Sequence, residues 1–223
     1  MANSFRPLPT TTLGVQRMIS SIYSMGPDSY TEEMVAGLRR LAQAARGRSK
    51  EEIYLPALLD FFRWYVCLCN KLGYKLDDVL WYKYPGVCPY CGGERCSGKY
   101  DSKEPNPALF PGLMSRRGKP RTIRGWQRLI AKIYGQRNST QVVEYLFERL
   151  RGEVDEAMEF ADDPLSEQYQ EPFSLEMADI GAWFFSIVTR LEIDLENEFL
   201  SRYPWKCPGC DSIPCFLLTS ECR

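Results

Sequence analysis

Histidine is missing from all 223 residues. Its absence excludes Ser-His-Asp and Cys-His catalysis, histidine-ligated zinc enzymes and imidazole bases. Chemistry in this chain must run on carboxylates, metals, lysines or thiols. Charge of one sign is also missing. Lys and Arg total 28 against 29 Asp and Glu, for a formal net charge of −1. Such a balance exerts no global pull on nucleic acid or an anionic membrane. No apolar run reaches the length of a membrane span, and the start, MANSFRPLPTTT, lacks a signal-peptide core. The expectation is a cytoplasmic protein with no membrane partner and no nucleic-acid partner.

Nine cysteines are present, most in short clustered spacings. In a cytosolic chain such spacings favour metal ligation over disulfides. The chain is also written twice. Residues 58–96 align with 177–215 without a gap at an offset of 119. Asp60 then matches Asp179, Trp64 matches Trp183, and Tyr84-Pro85 matches Tyr203-Pro204. Cys88, Cys91 and Cys96 match Cys207, Cys210 and Cys215. Upstream, Gly14–Tyr23 resembles Gly125–Tyr134 at a slightly shorter offset. Three cysteines, a Tyr-Pro and an Asp in one register point to a tandem duplication. The expected organisation is a first repeat at 1–98, a Pro- and Gly-rich linker at 99–121 and a second repeat at 122–223.

Both repeats read as helical. Val15, Met18, Ile19 and Ile22 recur at helical spacing, as do Trp126, Leu129, Ile130 and Ile133. A helix over roughly 139–160 carries Val143, Leu146, Phe147, Leu150 and Val154 on one stripe. Another over roughly 174–190 turns Ile180, Trp183, Phe184 and Ile187 inward, with Ser174 as its N-cap after Pro172. A short helix follows over about 195–201. The fold class expected is all-α: two tandem helical bundles side by side.

Two acid pairs carry the chemistry. Glu153 and Glu156 lie three apart on one predicted helix, and Glu176 and Asp179 three apart on the next. Each pair shares a helix face. Apolar neighbours place both at the border of the core, where facing helices can bring four carboxylates together. Crowded carboxylates raise each other's pKa unless a cation sits among them, and the cation suited to oxygen donors is Mg²⁺ or Mn²⁺. Acid pairs on a solvated helix face are the plain alternative for either pair alone.

The pattern ExxE, a gap of about twenty residues, then ExxD, with IYGQRN, LRGEVDEAMEF and LEMADIGAWFFSIVTRLEIDLE around it, resembles the MazG-like nucleoside triphosphate pyrophosphohydrolases. The resemblance covers most of 123–203 and, more weakly, 12–84. It implies an all-α fold and release of pyrophosphate from a nucleoside triphosphate, with Mg²⁺ held by Glu153, Glu156, Glu176 and Asp179. Tyr134, Arg137 and Arg149 are nearby candidates for contact with base or phosphate. The family's motif usually opens with one more Glu, and Gly152 stands there in this chain. In the first repeat Asp60 survives, Ala57 matches Glu176, and the stretch LRRLAQAARGRSK near the expected ExxE holds no acid pair. Family members commonly work as dimers or larger oligomers, so a chain with one repeat lacking the acid site looks like a covalent pseudo-dimer, itself open to pairing again. The basic stretch Arg39, Arg40, Arg46, Arg48 and Lys50 then either meets phosphates or forms a solvated face.

Each repeat ends in CxxCxxxxC. Thiolates two residues apart can grip one tetrahedral ion. The expectation is structural Zn²⁺ on Cys207, Cys210, Cys215 and Cys222, and on Cys88, Cys91 and Cys96 with a fourth ligand from elsewhere. Iron–sulfur ligation and thiol redox chemistry are alternatives. Cys67 and Cys69, on an apolar stretch, read as buried packing residues. The functional rivals to a hydrolase are a nucleotide sensor or scaffold without turnover, and a zinc-stabilised interaction module.

Overall fold

A computed structural model describes residues 6–24, 31–45, 51–98 and 118–215. Among these the chain is all-helical, with eight α-helices and no strand. They are α1 (Thr12–Ile22), α2 (Thr31–Ala45), α3 (Glu51–Lys71), α4 (Leu76–Lys83), α5 (Ile123–Ser139), α6 (Val143–Met158), α7 (Gln170–Arg190) and α8 (Leu195–Arg202). The third helix of each set has 21 residues and the fourth has 8. No described helix is long and apolar enough to cross a membrane. Most of the linker at 99–121 lies outside the described residues.

Two expected boundaries move. Ser139 ends α5, and α6 starts at Val143 after a short connection. Ser174 is not the N-cap of α7, which begins a turn earlier, after Tyr169. Pro172 sits in that first turn, where its missing N–H has no intrahelical bond to make. The Ser174 hydroxyl donates back to the Glu171 carbonyl instead.

The starts of α1 and α5 share one device. Thr11 accepts from the Gly14 amide at 3.1 Å, and Thr122 from the Gly125 amide at 2.8 Å. Each threonine thus satisfies an orphan amide of the first turn. Both glycines face a proline: a Cβ on Gly14 would lie 2.8 Å from Pro9 Cβ, and one on Gly125 3.2 Å from Pro120 Cβ.

One continuous apolar core runs through both halves. At its centre the long helices α3 and α7 meet through aromatic rings. Phe184 stacks on Phe61 at 5.1 Å and on Phe62 at 5.5 Å between ring centroids. The Tyr65 hydroxyl donates to the Met177 carbonyl at 2.6 Å, which satisfies a buried phenol. Gly181 makes room there. A Cβ at that position would lie 2.7 Å from both Leu80 Cδ2 and Tyr65 Oη. Cys67 and Cys69 are buried in α3, and burial pushes the Cys67 thiol up to about 11.

Matched positions of the repeat make matched contacts across the halves. Tyr84 donates to Asp179, and Tyr203 donates to Asp60. The Cys96 amide donates to the Ile133 carbonyl, and the Cys215 amide to the Ile22 carbonyl, each at 2.7 Å. Tyr134 donates to Cys88 Sγ, and Tyr23 to Cys207 Sγ. The end of each half therefore sits on the first helix of the other.

Candidate functional site

Helices α6 and α7 pack together and bring the acids to one place. Glu153, Glu156 and Glu176 each offer a carboxylate oxygen, all within 4.8 Å of one another. Glu153 is buried, Glu176 half-buried and Glu156 exposed. Glu176 Oε2 is buried without a hydrogen-bond partner. Such an orphaned oxygen is costly unless a proton or cation compensates it. Burial pushes the Glu176 carboxyl up to about 8, the Asp179 charge adding to it and Lys83 opposing. Burial likewise pushes Glu153 up to about 7, with Asp179 and Glu156 adding and Arg149 and Lys83 opposing.

Asp179, the fourth acid, lies outside that trio. Its Oδ2 accepts from Lys83 Nζ and its Oδ1 from the Tyr84 hydroxyl, both at 2.5 Å. The ion pair is buried on both sides, at 5% and 9% side-chain exposure. Both donors come from the end of α4, in the first half. Sequence reasoning missed Lys83 entirely. Its one available signal was the repeat: Lys83-Tyr84 matches Arg202-Tyr203, and Arg202 lies 3.6 Å from Asp60 while Tyr203 donates to it at 2.6 Å.

A pocket of 320 Å³ opens beside the acids. Glu153 and Asp179 line it, together with the three residues expected to meet substrate, Tyr134, Arg137 and Arg149. Tyr84 and Tyr90 close it from the first half, and Tyr145 and Trp183 from the second. Trp183 was expected on the core stripe. It packs half-buried against that core and also turns to the acids, where its Nε1 donates to Glu153 Oε1 at 3.0 Å. Arg149 donates to the same oxygen at 3.0 Å, and its guanidinium lies 5.4 Å from the Trp183 ring. Aromatic faces, two guanidinium groups and a carboxylate edge in one cleft suit a ligand with a flat ring and an anionic tail.

The two cysteine triads form as the spacing predicts. The sulfurs of Cys88, Cys91 and Cys96 lie within 4.8 Å of one another, as do those of Cys207, Cys210 and Cys215. Each is placed to hold a metal such as zinc. For Cys91 burial acts upward, but backbone donors from Ser97 and Gly93 outweigh it and bring the thiol down to about 7. For Cys207 burial is again outweighed, by Tyr23 and the Gly209 and Cys210 amides, and the thiol falls to about 6. Cys88 goes the other way, burial pushing its thiol up to about 11, so an ion in the first triad would have to displace that proton. Cys222, the expected fourth ligand, lies outside the described residues.

Of the basic stretch, Arg39 pairs with Asp155 of α6 at 2.7 Å and Arg40 is exposed. Arg46, Arg48 and Lys50 lie outside the described residues. Comparison with protein-family models, curated proteins and solved structures finds no match for this chain.

Proposed function

We propose that this protein is a Mg²⁺-dependent nucleotide pyrophosphohydrolase of the MazG-like kind, a covalent pseudo-dimer with one active site. The observation that carries the reading is the convergence of Glu153, Glu156 and Glu176 at the edge of an aromatic, arginine-lined pocket. The crossed pairs Tyr84–Asp179 and Tyr203–Asp60 support a two-fold relation between the repeats. The orphaned oxygen of Glu176 and the hard oxygen donor set fit Mg²⁺ or Mn²⁺, with Glu153, Glu156 and Glu176 as ligands. When bound, such an ion neutralises phosphate charge and makes water more acidic.

The chain's own residues do the rest. Tyr84, Tyr90, Tyr134 and Trp183 provide flat faces for a base. Arg137 and Arg149 attract the phosphates. Trp183 and Arg149 fix Glu153 by its Oε1, so its orientation is set before substrate arrives. Lys83 pairs with Asp179 in a buried place and brings a basic side chain beside the acids. Attack of a water at the α-phosphorus would break the α–β phosphoanhydride bond and leave a nucleoside monophosphate and pyrophosphate. The test is pyrophosphate release from a panel of ribo- and deoxyribonucleoside triphosphates. Glu156→Gln and Asp179→Asn should each abolish turnover. Turnover that survives both rejects the assigned site, and nucleotide binding without turnover in the wild type favours a sensor.

A further inference from the structure

We propose that the two cysteine triads are reciprocal zinc clamps, each holding a Zn²⁺ ion that locks its loop onto the first helix of the opposite half. A tetrahedral ion with Zn–S bonds of about 2.3 Å sets its sulfurs about 3.8 Å apart. Cys210 and Cys215 Sγ stand 3.6 Å apart, and all three sulfurs of each triad fall within 4.8 Å. The loop backbone is the same in both copies. The Gly92 amide donates to the Cys88 carbonyl at 2.9 Å, and the Asp211 amide to the Cys207 carbonyl at 2.8 Å. Gly92 and Asp211 occupy matched positions, and both have positive φ, 69° and 58°. Asp211 is a non-glycine held in the left-handed region. Aspartate is among the residues that tolerate that region, so the two loops share one conformation.

The crossing comes from what each loop touches. Cys96 N–H is bound to the Ile133 carbonyl of α5 and Cys215 N–H to the Ile22 carbonyl of α1. The Tyr134 hydroxyl of α5 reaches Cys88 Sγ at 3.7 Å, and Tyr23, which caps α1, reaches Cys207 Sγ at 3.4 Å. An ion in the first triad thus steadies a loop docked on a helix 46 residues further along the chain, and one in the second a loop docked on a segment 184 residues back. The copies differ in consequence. Tyr84 and Tyr90 flank Cys88, and with Tyr134 they line the acid pocket. The first clamp therefore shapes the substrate cleft, a consequence that rests on the nucleotide reading above.

The experiment uses the full chain with Zn²⁺ or Co²⁺ alone, in wild type, Cys91→Ser and Cys210→Ser. Wild type should bind two equivalents with thiolate-to-Co²⁺ charge-transfer bands, and each variant should lose one. Hydrogen exchange should then cross over: Cys91→Ser speeds amide exchange in the last turns of α5 and Cys210→Ser in α1, each by about tenfold or more. Bands that persist undiminished in Cys91→Ser, or exchange that rises only within the altered loop, overturn the proposal. Where a serine variant loses its helical signal, wild type stripped by chelator and refilled with Zn²⁺ replaces it. Exchange in α1 and α5 that fails to slow on refilling overturns the proposal equally. Binding of a non-hydrolysable nucleotide with Mg²⁺ should weaken several-fold in Cys91→Ser and not in Cys210→Ser; equal weakening refutes the link to the cleft. Wild type that binds no nucleotide rejects the functional reading alone, because spectra and exchange still decide the clamps.

Discussion

Lys83 reaches across the repeat boundary to Asp179, Nζ to Oδ2 at 2.5 Å, and both side chains are buried. A lysine from the first half thereby belongs to the acid cluster of the second. Its removal leaves a buried carboxylate uncompensated. Breaking a buried pair from one side costs about 3–5 kcal/mol. Lys83→Met should lower unfolding stability by that order in urea titration. Lys83→Met with Asp179→Asn should be less damaged than Lys83→Met alone, because no unpaired charge remains. A double variant that loses the sum of the two single losses would show that the pair is not coupled.

The acids predict how metal and pH work together. Glu153 and Glu176 titrate at about 7 and about 8 in the folded chain, against about 4.3 for a glutamate in an unfolded one. Between those values the folded protein holds more protons than the unfolded, so metal-free stability falls as pH rises from about 4.5 to about 8. Cation binding displaces those protons, so stabilisation by Mg²⁺ should grow across the same window. Melting with and without Mg²⁺ at about pH 5.5 and about pH 8.5 measures it. An equal shift at both pH values, or an undiminished one in Glu176→Gln, would sink the assignment of these ligands.

The close approach at Gly181 makes a purely structural prediction. Gly181→Ala puts a methyl 2.7 Å from the Tyr65 hydroxyl oxygen and from Leu80 Cδ2. A helix-interior alanine normally gains up to about 1 kcal/mol over glycine. Overpacking of a tight contact costs about 1–3 kcal/mol, and should win. Thermal melting should place Gly181→Ala below wild type, and Tyr65→Phe in the same chain should recover part of the loss. A melting temperature above wild type would mean that α3 and α4 yield at this contact.

Helical periodicity read the interior well: Met18, Ile19, Leu146, Phe147, Phe184 and Ile187 are all buried. Spacing within one helix also sufficed for Glu153 with Glu156, and the short CxxCxxxxC spacing within one loop sufficed for each cysteine triad. It could not reveal Lys83 or Tyr90, which reach the site from a chain segment more than fifty residues upstream of any acid. Trp183 packs against the core as its stripe predicts, but its polar edge was not legible for a related reason. It sits on the same stripe as Phe184 and Ile187, and only the packing of α6 decides that its indole N–H turns to Glu153. Ser174 was preferred as a cap because a proline stood before it, but a proline in a first turn opens a helix as readily as it precedes one.

Gly152 offers the sharpest test of the family resemblance. It lies within α6 at the position where an extra Glu would stand, and a Cβ there would meet nothing within 4 Å. A side chain therefore enters without clash. Gly152→Ala should stabilise the chain by about 0.5–1 kcal/mol through helix propensity alone. Gly152→Glu should gain much of the same helical benefit and add a carboxylate one residue from Glu153 and one turn from Glu156. Its distinctive effect should be on the cation: several-fold tighter Mg²⁺ binding by calorimetry than in Gly152→Ala, with faster pyrophosphate release at limiting Mg²⁺. Identical Mg²⁺ affinity in the two variants would mean that this face of α6 does not look at the ion, and would count against the MazG-like arrangement of the acids.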